Sequence, residues 1–435
     1  MKVLHVNNVD LPGRRFSGYD LLHELAPRGV VSKQIVMNKL SDDANVVQLL
    51  GTPGDEALQA SIAAAEARHS MNNLLYPWGQ VLAETEEFRE ADVIHYHLIH
   101  NQMVSLFDLP RLFDLKPSVW SLHDPWAMTG HCVYPMTCDR WLTGCDACPS
   151  LDVHFALAID RANQMWRIKQ RVFSECDVDI VVASEFMLDL MRRSPLTAGF
   201  DRTHLIPFAV ETGVFLPDES RVASRRLLGI PEHDFVVLLR ATAAEFKGVR
   251  YALEALGAGA PSVPTTLLTV DQAGLAADLS DTYNVVDLGW VDDAALYPRV
   301  YSACDVLLMP STAEAFGLMA IEAMAAGRPV ICFEGTSLPS VTCAPECGIA
   351  VPMGDSPALR RAIDRLAGDP DEVRRRGALG RTIAAERYNH ERYLDALVSL
   401  YQGVLERSRN RSRPWGSRPA VQATPMVRAW TQTPE

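Results

Sequence analysis

The chain has 435 residues, 48% of them hydrophobic. That is more than one hydrophobic core usually serves, so two domains are expected. The formal net charge of −13 argues against a nucleic-acid binder, which needs a basic face, yet it leaves room for a local basic pocket around a phosphate. No apolar run of about 18 residues occurs, so no transmembrane helix is expected. The opening MKVLHVNNVDLPG lacks the long apolar stretch and small-residue cleavage site of a signal peptide. The expected compartment is the cytoplasm.

In chain order, short apolar runs predict strands over residues 2–7, 34–37, 92–97, 118–123 and 179–184. Segments with helical spacing lie at 19–25 and 185–193. A hinge, IPFAVETGVF, follows at 206–215, and the strand rhythm then restarts at 235–240, 265–271, 284–289, 305–310, 329–333 and 348–352. Helical patterns fall at 251–256 and 318–326. Alternating strands and helices predict parallel sheets with helices on both faces, and two such series predict two domains, 1–206 and 217–385, joined by 207–216. Residues 386–407 read as one long helix, with Tyr393, Leu397, Leu400, Tyr401 and Leu405 at helical spacing. The tail 408–435 has four prolines and the arginines 409, 411, 413, 418 and 428 against one acid, Glu435. With no periodic apolar face, it is expected to be mostly disordered. Its arginines make it a candidate for contact with an anionic membrane, although a solvated tail is the preferred reading.

Ligands of doubly wound sheets bind beyond the carboxyl ends of the strands, so chemistry is sought there. Residues 311–327 read STAEAFGLMAIEAMAAG: a small-residue loop leaves a strand and a helix begins near Phe316–Leu318. Uncapped amides and the helix dipole make such a start an anion site, and Gly317 permits close backbone approach. Glu314 and Glu322 stand in an E-x7-E spacing, each able to accept hydrogen bonds from hydroxyls. Arg240 ends a strand and Lys247-Gly248 opens a helix; two fixed cations there can stabilise negative charge on a phosphate without a metal. Gly289-Trp290-Val291 and His123-Asp124 also follow strands, and His95, His97 and His100 are weaker candidates. Two D-x-D patterns, at 177–179 and 369–371, follow no strand into the expected site and are read as structural.

Of nine cysteines, four are packed into one loop: Cys132, Cys138, Cys145 and Cys148, spaced C-x5-C-x6-C-x2-C. Soft thiolates in fours favour a tetrahedral structural zinc, with His131 able to replace one of them. Two disulfides and free thiols are the alternatives.

The segment from Glu314 to Glu322 resembles the E-x7-E motif of family-4 retaining glycosyltransferases. Ser17-Gly18 is similar to that family's glycine-rich N-terminal loop, with Ser-Gly in place of the usual Gly-Gly. DVIHYH at 92–97 is similar to a frequent strand of its acceptor domain. IPFAVETGVF resembles its interdomain link, with Phe208-Ala209 in place of Asn-Gly. The TGHC…C…GC…CP stretch resembles an insert of the subset similar to exopolysaccharide glycosyltransferases. The resemblance spans roughly residues 1–405. It implies an α/β GT-B fold, two Rossmann-like doubly wound domains facing across a cleft. It implies a nucleotide-sugar donor in the second domain, a hydroxyl acceptor in the first, and catalysis without a cofactor. The residues it marks as catalytic are His123, touching a donor-sugar hydroxyl, with Glu314, Arg240 and Lys247. Those it assigns to the donor are Gly18, Trp290, Val291, Ala315, Phe316, Gly317, Leu318 and Glu322. The spacing from Arg240 to Lys247 is two residues longer than the commoner Arg-x4-Lys-Gly. The acceptor would be a polysaccharide, a lipid-linked glycan or a natural product. Rival readings are a nucleotide-sugar epimerase or glycosyl phosphorylase of the same fold, and a non-catalytic nucleotide-binding scaffold.

Overall fold

The computed structural model describes residues 1–11, 13–153, 155–215 and 220–410. Residues 411–435 of the tail expected to be disordered lie outside the described residues. The chain divides into two compact units. The first comprises Met1–Val182, Asp189–His204 and the chain from Leu394; the second comprises Ala183–Leu188 and Leu205–Tyr393.

The first unit is built on seven strands: β1 (Lys2–Val9), β2 (Val31–Asn38), β3 (Val46–Gln48), β4 (Val93–Tyr96), β5 (Ser118–Ser121), β6 (Asp179–Val182) and β7 (Thr203–Leu205). Their order is β3-β2-β1-β4-β5-β6-β7. The pairs from β3 through to β6 are parallel. The order reverses beside β1, so the connections leaving β1 and β4 part in opposite directions and open a crevice at their carboxyl ends. The second unit holds β8 (Phe235–Ala241), β9 (Thr265–Asp271), β10 (Asn284–Asp287), β11 (Val306–Met309), β12 (Val330–Phe333) and β13 (Ile349–Val351). They run in the order β10-β9-β8-β11-β12-β13, all pairs parallel. Its reversal falls between β8 and β11.

In the second unit the central strands are apolar over most of their length because helices cover both faces. Val236, Val237, Leu238 and Leu239 of β8 and Val330–Phe333 of β12 are buried. On one face, Leu256 of the helix Val249–Gly257 and Leu359, Ile363 and Leu366 of the helix Ser356–Gly368 pack on Val237, Leu239 and Ile331. Each such side chain contributes about 1.5–3 kcal/mol on burial.

Several boundaries differ from the sequence reading. The strand expected at 118–123 ends at Ser121 and that at 92–97 ends at Tyr96, so His97 and His123 stand just past strand ends. The helix expected at 19–25 is a short turn, Leu21–Glu24, preceded by another, Arg14–Ser17. The long helix expected over 386–407 is present as His390–Arg409, and residues 386–387 end the preceding helix, Pro370–Arg387. Between them the Tyr388 carbonyl accepts from Val210 N at 2.9 Å, Val210 and Asn389 form a bridge, and Asn389 Oδ1 accepts from Arg392 N at 3.0 Å. That side chain starts the second helix as a cap would. From Leu394 onward this helix belongs to the first unit and buries Leu394, Leu397, Leu400, Tyr401 and Val404. Among the described residues, no helix is long and apolar enough to cross a membrane.

Candidate functional site

In the second unit, the reversal between β8 and β11 brings two loops together. The first leaves β8 after Ala241, just past Arg240, and makes a turn, Glu245–Lys247, before the helix Val249–Gly257. The second leaves β11 and runs through Ser311–Gly317 to the helix Leu318–Ala325. Gly248 adopts φ +68, and a Cβ there would stand 1.9 Å from the Pro310 carbonyl oxygen. Only glycine allows that approach. The Phe246 carbonyl accepts from Thr312 N at 2.8 Å, which fastens one loop to the other.

Across this junction Lys247 Nζ donates to Glu314 Oε2 at 2.7 Å, with side chains 18% and 10% exposed. Both groups stand at the start of the helix Leu318–Ala325, whose N-cap is Gly317 at φ +98 with no side chain capping it. Its first amides and the helix dipole therefore face the loop as an anion-binding end. Phe316 is 2% exposed and packs edge-on against Phe208 and Tyr388, and Ala315 is buried as well. The Ala315 carbonyl accepts from Ser184 Oγ at 2.6 Å and the Phe316 carbonyl from Ser337 Oγ at 3.0 Å. Phe316 thus shapes the loop from beneath by its side chain. At Gly317 a Cβ would meet the end of the Leu338 side chain at 2.6 Å, and its φ of +98 also favours glycine.

Glu322 lies one helical stretch further on and is buried. Its Oε2 accepts from Tyr297 OH at 2.8 Å and Tyr301 OH at 2.7 Å. Burial and then the Glu322 charge hold the Tyr301 hydroxyl well above its ordinary range, so it remains a donor. Sequence reasoning missed these two tyrosines; their i,i+4 spacing on the helix Tyr297–Ala303 was the available signal. It missed Asp271 too, whose Oδ2 accepts from Arg240 Nε at 2.7 Å. Gly289, Trp290 and Val291 follow β10; the Gly289 carbonyl accepts from Asp271 N at 2.8 Å, and Trp290 is 61% exposed.

In the first unit, the parallel pairing of β1 with β4 sets His5 opposite His95, and the chain after β4 and β5 adds His97 and His123. His5 Nδ1 and His97 Nε2 are 3.1 Å apart, and His97 Nδ1 and His123 Nε2 are 3.2 Å apart. Gly18, at φ +83, covers the first link: a Cβ would stand 2.6 Å from His97 Nε2 and 2.9 Å from His5 Nδ1. The glycine of the Ser17-Gly18 pair is therefore required by the histidines beneath it. His95 is engaged separately, by Tyr401 OH at 2.7 Å and Ser121 Oγ at 2.8 Å. Burial lowers His123 to about 4, against a raising influence of Asp124, so its imidazole is neutral at pH 7. Asp124 accepts from Trp126 N at 2.9 Å and pairs with His100 at 3.2 Å.

The four clustered cysteines are all free thiols. Burial pushes Cys132 up to about 11 and Cys145 up to about 12. His131 Nε2 lies 3.3 Å from Cys148 Sγ, and Cys145 Sγ accepts from Gly130 N at 3.2 Å. Lys169, fully buried, donates to the Trp126 and Thr129 carbonyls at 2.6 and 3.1 Å. Among the described residues of this unit, the three metal-type donors that gather within 4.8 Å of one another are His5, His95 and His97; the cysteine set is wider. The D-x-D acids are engaged structurally: Asp177 and Asp179 pair with Arg202, Asp369 accepts from Glu372 N at 2.8 Å, and Asp371 pairs with Arg374.

The chain is 32% identical over 262 residues to a D-inositol 3-phosphate glycosyltransferase from Saccharomonospora viridis, covering 54% of this chain and 58% of the relative. It is 26% identical over 248 residues to an MMP alpha-(1->4)-mannosyltransferase from Mycolicibacterium hassiacum, covering 55% and 57%. The matches thus span little more than half of these curated relatives. In fold, the chain resembles sucrose-phosphate synthase from Thermosynechococcus elongatus (TM-score 0.63, 19% identity, 94% of this chain and 100% of that one). It also resembles Anabaena HepE, solved with UDP-glucose (TM-score 0.60, 17% identity, 94% and 100%). The architecture is that of the GT-B glycosyltransferases: two Rossmann-like units, each with a parallel sheet. Residues 232–369 match the family model of the glycosyl transferases group 1, and this segment of the second unit holds Arg240, Lys247, Trp290, Glu314 and Glu322.

Proposed function

We propose that the protein is a retaining glycosyltransferase that moves a sugar from a nucleotide-sugar donor to a hydroxyl acceptor. The observation that carries this reading is the Lys247–Glu314 pair at the uncapped start of the helix Leu318–Ala325, inside the segment matched by the family model. The amides of that helix, Lys247 and Arg240 bind the diphosphate. Glu314 accepts from a hydroxyl of the donor sugar. Glu322, steadied by Tyr297 and Tyr301, accepts from the ribose, and the 289–291 loop borders the base. His123, just past a strand end of the first unit, offers its neutral imidazole to a substrate hydroxyl. In the reaction the bond from the sugar's anomeric carbon to the diphosphate oxygen breaks, and a bond to the acceptor oxygen forms on the same face. The acceptor's proton passes to the departing phosphate oxygen, whose growing charge Lys247 and Arg240 stabilise.

The relatives named for sugar transfer and the neighbour solved with UDP-glucose support a nucleotide-sugar donor. The test is Glu314→Ala. Losing the group that fixes the sugar should lower turnover on the order of 100-fold, as misplacement by about 1 Å does, while the melting curve and nucleotide binding hold. Near-normal turnover in a folded variant would remove Glu314 from the site.

We assign a structural zinc to Cys132, Cys138, Cys145 and Cys148. In chemistry the donor set fits: four thiols and an imidazole in one loop, none in a disulfide. Binding would draw the sulfurs together and order the loop, since metal-binding energy becomes folding energy. Metal analysis of chelator-free protein should give one zinc per chain, and Cys145→Ser should lower that content while sparing nucleotide binding. A metal-free, fully active protein would refute it.

A further inference from the structure

We propose that His97 and His5 are positioning residues that hold His123 in a single tautomer, with its proton on Nδ1 and its Nε2 accepting from His97. This rests on the reading of His123 as a substrate contact. A neutral imidazole has one donor nitrogen and one acceptor nitrogen. His97 uses both, toward His5 at 3.1 Å and His123 at 3.2 Å, so the two hydrogen bonds must run in one direction. The far end of the row decides which. His5 Nε2 is buried and has no hydrogen-bond partner among the described residues. If His123 donated, the proton of His5 would be forced onto that nitrogen, leaving a buried N–H without an acceptor, a rarity in folded proteins. If His5 donates from Nδ1, only a bare lone pair is left there. The second direction is therefore favoured: His5 donates to His97, and His97 donates to His123.

The surroundings keep the row neutral and closed. Burial lowers His5 to about 3 and holds His97 well below its ordinary value. Of the groups packed around it, His95 spends its nitrogens on Tyr401 and Ser121, and Asp124 is paired with His100. The backbone of Gly18 lies over the His5–His97 link. The consequence is chemical. With Nε2 occupied, His123 presents an N–H at Nδ1, which recognises an oxygen acceptor such as a sugar hydroxyl and cannot serve as a base. The proton of the incoming hydroxyl must then go elsewhere, as the transfer to the departing phosphate requires.

The test is the nitrogen spectrum of the full chain with 15N-labelled histidines, assigned through single-histidine variants. The expected result is a protonated Nδ1 and an unprotonated Nε2 for His123. His97→Asn can still donate from the position of Nδ1 and should keep both this tautomer and near-normal kcat. His97→Asp offers acceptors alone; it should place a proton on His123 Nε2 and lower kcat by about 10-fold, the loss of one good hydrogen bond. A wild-type spectrum with Nε2 protonated, or metal bound at His5, His95 and His97 in the purified chain, would overturn the proposal. If the aspartate variant does not fold, the wild-type spectrum alone decides. The spectrum needs no turnover, so it judges the tautomer separately from His123→Ala, which judges the substrate contact.

Discussion

Lys247 owes its place to its neighbour. Gly248 lets the turn after β8 press against the Pro310 carbonyl, and that contact carries the ammonium to Glu314. Charge at this point is the requirement, so Lys247→Ala should lower kcat by roughly 100- to 1,000-fold, the usual cost of removing one preorganised electrostatic stabiliser. Lys247→Arg should retain more, although its fork does not superpose on an ammonium. Steady-state kinetics beside thermal melts check this, and equal losses in the two variants would mean that charge is not what matters. Residues of this kind were legible in the sequence because strand, loop and helix stand close together along the chain. The histidine row was not. His5, His97 and His123 come from three separate segments, and only the pairing of β1 with β4, and β4 with β5, brings them together.

At the scale of elements, the end of the chain is tied into the first unit by Asp179 at the start of β6. Its carboxylate accepts from Arg202 Nε at 3.0 Å, His204 Nε2 at 2.8 Å and Arg407 Nη2 at 2.5 Å. Burial would raise its pKa, but the hydrogen bonds from His204, Arg407 and Arg202 hold it below its ordinary value. A lowered folded pKa gives stability that is present above the unfolded value, near 3.9, and is lost as pH falls through the folded one. Asp179→Asn should therefore destabilise the protein by about 1–3 kcal/mol at neutral pH. Urea melts should show the difference narrowing below about pH 4. A difference constant with pH would contradict an ionised role. The apolar runs of the central strands were readable because each is buried on both faces. β3 and β7, three residues each at the sheet edges, leave too short a pattern. The helix Pro53–His69 has mostly exposed side chains and shows no apolar stripe; its signal is the capping box of Thr52 and Asp55.

Over the whole molecule, each unit reverses its strand order once and gathers its candidate residues at that reversal: Gly18, His97 and His123 in the first, Arg240, Lys247 and Glu314 in the second. The fold is shared by the rival readings, an epimerase and a phosphorylase, so the reaction itself decides between them. The direct measurement is proton NMR of UDP-, GDP-, TDP- and ADP-sugars incubated with the full chain, with and without a panel of sugar, lipid-linked and natural-product hydroxyl acceptors. The expected result is that one donor is consumed when an acceptor is present, that the nucleoside diphosphate is released, and that the product keeps the donor's anomeric configuration. Conversion of the donor without any acceptor, inversion at the anomeric carbon, or tight binding with no consumption across the panel would contradict it.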